Sequence, residues 1–250
     1  MPIPAAIAFV FGLIYGSFLN VLLWRLPEGR GINGRSECRS CRRTLAWYDL
    51  VPVFSFIALK GKCRYCKAPI HPRYPLVELS TAAVLGLYFA LVQPVPGLEA
   101  AMAVAILLVF VTLFFFDLFY YILPDVIVLP AIAACAIYDI LARPDPLVYA
   151  ASALLSAAFF AILYGASRGK KMGFGDVKLA FLIGLFLGYP TGFISIVGGI
   201  WLGALAALIL LAFKKVTLKD ALPLGAFLTF AAVACIIFSH ELLPLTRFFQ

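Results

Sequence analysis

Charge is scarce in this chain. Only 13% of its 250 residues are charged, about half the share usual in soluble globular proteins, and 64% are hydrophobic. An ordinary water-soluble domain is excluded on both counts. A Gly-x-Gly-x-x-Gly turn after a strand is lacking as well, so the sequence supports no nucleotide-binding fold. No internal repeat or low-complexity tract stands out. The first apolar stretch, from Ile3 to about Trp24, lacks a positive n-region and a clear small-residue cleavage site, and it reads as a retained helix rather than a cleaved signal peptide.

What is abundant is apolar length. Stretches suited to crossing a hydrocarbon core about 30 Å thick lie at 3–23, 75–93, 98–116, 124–142, 147–166, 177–189, 192–213 and 222–240. The pattern predicts an all-α polytopic membrane protein with about eight transmembrane helices. The stretch 177–189 is short and is interrupted by Gly184 and Gly188. Three regions follow: a first transmembrane helix at 1–23, a polar module at 24–74, and a transmembrane helical domain at 75–250.

A net charge of +8 suits nucleic acid in a soluble protein, but in a membrane protein basic residues mark loops that stay in the cytoplasm. Eleven of the 20 Lys and Arg fall between Trp24 and Tyr74. Two further clusters are Arg168, Lys170, Lys171 and Lys178, and Lys214, Lys215 and Lys219. Placing these three regions inside leaves only Arg143 and Arg247 outside, and both termini then face away from the cytoplasm. The partner implied is a lipid bilayer, with no nucleic acid.

The 24–74 module holds Cys38 and Cys41 in one CxxC pair and Cys63 and Cys66 in a second, 21 residues on. Paired CxxC turns supply the four thiolates that tetrahedral Zn2+ takes. Neighbouring Arg39, Arg42, Arg43, Lys62, Arg64 and Lys67 favour thiolates further. With all four ligands from protein the site is closed and structural, since a catalytic zinc keeps a position open for water. Disulfides are the alternative under an inverted topology, and a reducing cytoplasm argues against them. Cys135 and Cys235 lie in apolar stretches and read as small buried hydrophobes.

Acids near the membrane are few and therefore informative. The basic-residue topology places Asp117, Asp125 and Asp176 on the cytoplasmic side at similar depth, Asp139 and Asp145 at the outer end, and Glu78 about one turn into the second span. Two carboxylates close together in a partly desolvated site share a proton, so one can act as base on a water while the other acts as acid on a scissile carbonyl. Asp117 ends a helix where negative charge is unfavourable, so helix capping does not account for it. Asp125, after Pro124, reads as a cap. Gly173 and Gly175, just before Asp176, permit a tight turn or close approach of a substrate.

These residues carry a resemblance. Gly173-Phe174-Gly175-Asp176, the Asp117-x7-Asp125 spacing, Gly16-Ser17-Phe18-Leu19-Asn20 followed by Arg25-Leu26-Pro27, the paired CxxC, and Arg73-Tyr74-Pro75-Leu76-Val77-Glu78 together resemble the type IV prepilin peptidases. Members of that family are bifunctional leader peptidases and N-methyltransferases of pilus and type II secretion systems. The resemblance implies catalytic aspartates at Asp117 and Asp176 and prepilin or pseudopilin substrates with a basic leader and a hydrophobic helix. It further implies methylation of the new N-terminus from S-adenosylmethionine, in the bacterial inner membrane, with active site and cysteine module facing the cytoplasm. Methyltransferase residues are unassigned; Glu78 is a candidate for the substrate amine or the cofactor, against a structural pairing with Arg73 or Asn20. The chain departs from the family where a Gly-Pro-Phe-Leu run is common, reading Gly225-Ala226-Phe227-Leu228, and where a proline often follows the first cysteine, reading Arg39.

Two rival readings stand beside this one. The first is a leader peptidase without methyl transfer. The second is a proton-coupled transporter or assembly scaffold whose membrane acids carry protons, which predicts that Asp117 and Asp176 are dispensable for leader cleavage.

Overall fold

The computed structural model describes residues 3–169, 172–215, 217 and 220–238. Among these it is helical apart from turns and isolated bridges, and it divides into two compact units, Met1–Gln93 and Pro94–Gln250.

The first unit is a helix pair carrying a polar module. Helices α1 (Ile3–Arg25) and α3 (Arg73–Leu91) pack face to face, and small residues on α1 let their backbones meet. A Cβ placed on Gly12 would lie 2.6 Å from Ala82 Cα, and one on Gly16 2.6 Å from Glu78 Cα. Close approach through small residues four apart is the usual basis of helix association in membranes, where the lipid is as apolar as the side chains. At the end of α1 the buried Arg25 guanidinium donates to the carbonyls of Ile32 at 2.6 Å, Asn33 at 2.7 Å and Arg35 at 3.0 Å, fixing how the chain enters the module. The module itself holds a single 3-10 turn at Trp47–Asp49 and a short helix, α2 (Phe54–Ala58). Because α3 packs on α1, the division between units falls after Gln93 and not at the 74/75 boundary expected from composition.

In the second unit, six helices surround and include one that is buried nearly all round. They are α4 (Leu98–Tyr120), α5 (Asp125–Ala142), α6 (Pro146–Ala166), α7 (Phe174–Leu187), α8 (Thr191–Ala212) and α9 (Leu224–Ile237). α7 packs against α5, α6, α8 and α9, while α4 packs on α9 and α5. A helix apolar on every side belongs in the interior, and α7 buries Val177, Leu179, Ala180, Leu182, Ile183 and Leu185. Gly184, expected to interrupt this span, lies inside the helix. A Cβ there would meet Ala153 Cα of α6 at 2.8 Å, so the glycine serves close packing. Gly188, with φ +66°, is where α7 stops.

Eight apolar helices thus occupy the positions of the eight expected spans, and six of them are long and apolar enough to cross a membrane. α7 and α9, at 14 residues each, reach only about 21 Å. The last expected span ran to 240, and its positions 239–240, like Lys170, Lys171, Lys219 and Arg247, lie outside the described residues. Arg143, expected on the outer side, pairs with buried Asp139 at 3.1 Å and donates to the carbonyls of Leu185 at 3.3 Å and Phe186 at 2.8 Å, at the carboxyl end of α7.

Candidate active site and metal centre

Asp117 and Asp176 arrive from different helices. Asp117 sits in the last turn of α4, 6% exposed, with the backbone turning sharply just after it: Tyr121 adopts the left-handed conformation (φ 56°) and its N–H donates to Asp117 O at 2.9 Å. Its carboxylate faces the start of α9, where the Ala226 N–H donates to Oδ2 at 2.7 Å. Gly225 allows that contact, since a Cβ there would stand 3.0 Å from the same oxygen. Asp176 lies in the first turn of α7, half-buried, behind Gly173 at the helix N-cap. Gly175 packs against Leu123, which a Cβ would meet at 3.2 Å, whereas Gly173 has room beside it.

Asp117 and Asp176 line one cavity of about 390 Å³ together with Tyr121, Leu123, Gly173 and Lys178. Two partly desolvated carboxyl groups lining one cavity are the kind of arrangement that proton-sharing hydrolysis uses.

Asp125 behaves differently from expectation. Pro124 occupies the cap position of α5 and no side-chain cap hydrogen bond forms. Asp125 instead sits in the first turn, where the helix dipole favours an acid, and is exposed and paired with Lys178. Sequence reasoning treated Lys178 only as a topology marker, and its place two residues after Asp176 was the available signal. The Ala226 amide went unnoticed because it is contributed by backbone 109 positions away.

In the first unit, the Cys38, Cys41, Cys63 and Cys66 sulfurs all lie within 4.8 Å of one another, and those of Cys38 and Cys66 are 3.8 Å apart. Four sulfurs tetrahedrally placed at 2.3 Å from a zinc ion would be about 3.8 Å apart, so the cluster fits such an ion. The two halves repeat one design. Antiparallel bridges join Glu37 to Thr44 and Lys62 to Pro69, the Cys38 N–H donates to Arg43 O at 3.0 Å and the Cys63 N–H to Ala68 O at 2.8 Å. Arg42 (φ 57°) and Lys67 (φ 61°) take the same left-handed turn after each second cysteine. This local repeat escaped the sequence reading because only Cys-Arg-x-Cys and a following basic residue recur. Burial opposes the Cys38 thiolate, but the amides of Cys41 and Ser40 and the adjacent thiols outweigh it and bring Cys38 down to about 7. At Cys66 the Ala68 amide favours the thiolate, yet burial and the other three sulfurs push it up to about 11.

Glu78, 7% exposed, accepts the Val53 N–H at 2.7 Å and has Ser17 within hydrogen-bonding reach. Among the described residues no ion pair reaches it. Of the two structural partners expected for it, Arg73 and Asn20, Asn20 donates instead to Tyr74 O at 3.1 Å and Gly16 O at 3.2 Å.

Comparisons with known proteins agree with this division. Residues 10–92 match the profile of the bacterial peptidase A24 N-terminal domain, and residues 102–208 that of the type IV leader peptidase family. A prepilin leader peptidase/N-methyltransferase of Klebsiella pneumoniae is 37% identical over 196 residues, covering 73% of this chain and 85% of the relative. Relatives of the same name are 36% identical in Myxococcus xanthus, covering 74% of this chain and 57% of the relative, and 30% identical in Pseudomonas putida, covering 94% and 91%. No solved structure matches.

Proposed function

This chain belongs to the type IV leader peptidase family, and we propose that it is a membrane aspartic endopeptidase that removes the basic leader of prepilins or pseudopilins. The observation that carries the reading is the cavity shared by Asp117 and Asp176, two acids placed by separate helices against one opening. With one proton between them, one carboxylate takes a proton from water, the resulting hydroxide attacks the scissile carbonyl, and the other carboxyl protonates its oxygen. Collapse of the tetrahedral adduct then expels the new N-terminal amine with a proton from the dyad. Gly173 leaves the approach open and Gly175 lets the first turn of α7 pack against Leu123. Asp125, through Lys178, supports the rim without taking part in proton transfer.

The relatives' names join this activity to N-methylation. The second step proposed here is methylation of the freed N-terminus, the methyl group coming from S-adenosylmethionine, with Glu78 in the N-terminal unit contacting substrate amine or cofactor. Cys38, Cys41, Cys63 and Cys66 would hold Zn2+, which supplies no chemistry in a closed four-thiolate site but fixes the two CxxC turns to each other. The setting is the bacterial inner membrane, with module and dyad facing the cytoplasm, as the distribution of basic residues supports.

Mass spectrometry of a prepilin coexpressed with the protein reads both steps at once. Loss of the leader together with one added methyl group is the expected result. An uncut prepilin would contradict the peptidase reading, and a cut but unmethylated product the transferase half.

A further inference from the structure

The large apolar side chains most open to solvent in the 24–74 module lie close together: Trp47 is 77% exposed, Phe54 68% and Ile57 66%. Trp47 belongs to the 3-10 turn, which packs on α2. Phe54 and Ile57 are three apart on α2 itself, a spacing that puts both on one side of the helix. Single exposed apolar residues are ordinary, but a cluster with two aromatics marks a surface that meets something apolar.

The depth of this segment is fixed by one hydrogen bond, from the Val53 N–H at the start of α2 to Glu78 Oε2 at 2.7 Å. Glu78 is not at the top of α3. It stands four residues past Tyr74 and is level with Gly16 of α1, where a Cβ would be 2.6 Å from Glu78 Cα. Gly16 in turn lies eight residues before Trp24. Both α1 and α3 are long and apolar enough to cross a membrane, and tyrosine and tryptophan near the ends of spans sit at headgroup level. At 1.5 Å per residue, Glu78 Cα is about 6 Å inward of Tyr74 and about 12 Å inward of Trp24. Its side chain leans back toward the start of α3. Val53 and α2 are thereby held beside the helix pair at the depth where interfacial helices bury their apolar faces, about 5–10 Å into the headgroup and acyl boundary.

Charge around α2 suits one partner. Against its 11 Lys and Arg the module has only the acids Glu28, Glu37 and Asp49, and each is already paired within it, to Arg30 at 3.0 Å, Arg42 at 3.0 Å and Arg64 at 2.7 Å. Lys60 and Lys62 are exposed, follow α2 within four residues and have no ion pair among the described residues. An anionic bilayer surface offers an acyl boundary to the apolar side chains and phosphates to the lysines. A water-soluble partner would have to reach below the headgroups to touch Phe54 and Ile57.

We propose that α2 and the Trp47 turn form an interfacial membrane anchor, in which Trp47, Phe54 and Ile57 enter the headgroup and acyl boundary beside α1 and α3 while Lys60 and Lys62 take the phosphates of anionic lipids. The module then lies against the bilayer and does not hang from two tethers. The anchor rests on α1 and α3 as membrane spans and is independent of the chemistry proposed above.

Quenching of tryptophan fluorescence by brominated lipids, on the full chain in lipid nanodiscs, tests this. Both faces of a nanodisc carry the same lipids, so the result does not depend on which side of the membrane the module faces. Trp47 is read as the difference between the unaltered chain and Trp47→Phe, and a second probe, Phe54→Trp in the Trp47→Phe chain, reads α2 itself. Both changes exchange one aromatic for another at an exposed position, and an unchanged melting temperature shows that the variants fold. Each probe should be quenched about two-fold or more strongly by bromine near the top of the acyl chain than by bromine near its end, as the depth of an interfacial helix requires, and iodide in water should reach it poorly. Bromine carried only by phosphatidylglycerol should quench more than the same amount carried only by phosphatidylcholine, and Lys60→Gln together with Lys62→Gln should cut that preference about two-fold or more. Probes quenched by iodide and not by bromine would place α2 in water, and probes shielded from both would show that protein covers it, a second copy or another segment; either result overturns the anchor. Equal quenching by the two lipids, unchanged in the lysine variant, would overturn the role given to anionic phosphates.

Discussion

Asp117 is steadied by a backbone N–H, that of Ala226, at the position where the resembling family commonly has proline. Proline has no N–H to give, so the departure Gly225-Ala226-Phe227-Leu228, invisible as chemistry in the sequence, becomes a hydrogen bond to a proposed catalytic oxygen. Residue 226 is the third of α9, within the first turn, where proline is tolerated because those N–H groups have no helical acceptor. Ala226→Pro should therefore fold and still cleave, with kcat lowered about ten-fold and KM nearly unchanged. A hydrogen bond to a charged group is worth about 1.5–3 kcal/mol, and water can restore part of it. Ala226→Gly, which keeps the N–H, should retain far more activity. Equal turnover in a steady-state cleavage assay for the proline and glycine variants would show that this N–H does nothing for Asp117. Glu78 offers a parallel at the same scale: its candidacy was legible as an acid one turn into a span, but the Val53 turn (φ 63°) whose N–H meets it was not, because φ is set by module packing rather than by the identity of Val53.

Among the elements, the paired cysteine turns show how spacing alone identifies a site. CxxC is short enough that local backbone hydrogen bonding positions both turns, and a metal ion held there would have only to join two preformed halves. The 21-residue spacer is longer than usual because it carries the 3-10 turn and α2, with Asp49 tying Tyr65 and Arg64 back to that turn. Since the ligands must be thiolates, protons compete with the ion. Zinc affinity, read by competition with a chelating dye, should fall as pH is lowered from about 7.5 to about 6, and stripping the metal should lower the melting temperature of the N-terminal unit. Affinity that does not change with pH, or a melting profile indifferent to chelation, would contradict a four-thiolate site. α7 illustrates the opposite case. Its glycines suggested interruption, yet Gly184 is there for packing against α6, a distinction that depends on which helix becomes the neighbour.

For the molecule as a whole, composition was enough to place eight apolar helices and a polar module, because membrane burial writes itself into runs of about twenty apolar residues. The clustering of basic residues then put Asp117, Asp125 and Asp176 on one side. Which two of the three belong together was carried by the resemblance, and the helices bring Asp117 and Asp176 to one cavity while Asp125 pairs with Lys178. The unit boundary after Gln93 was hidden from composition, since α3, like α4, α5, α6 and α8, is long and apolar enough to cross a membrane, and its fit against Gly12 and Gly16 is what assigns it to α1.

The central claim is that Asp117 and Asp176 act as one catalytic unit, and leader cleavage by single and double asparagine variants tests it most directly. Asparagine keeps the size and most hydrogen bonding of aspartate but cannot take a proton from water. Asp117→Asn and Asp176→Asn should each abolish cleavage of prepilin in detergent, followed by gel shift with folding checked in parallel. The double variant should be little worse than either, as expected for groups that work together. Asp125→Asn, which removes an exposed ion pair worth about 1 kcal/mol or less, should keep substantial activity. Near-normal turnover by a folded Asp117→Asn or Asp176→Asn chain would contradict the account, and a dead but folded Asp125→Asn chain would show that the first aspartate of the pair is Asp125.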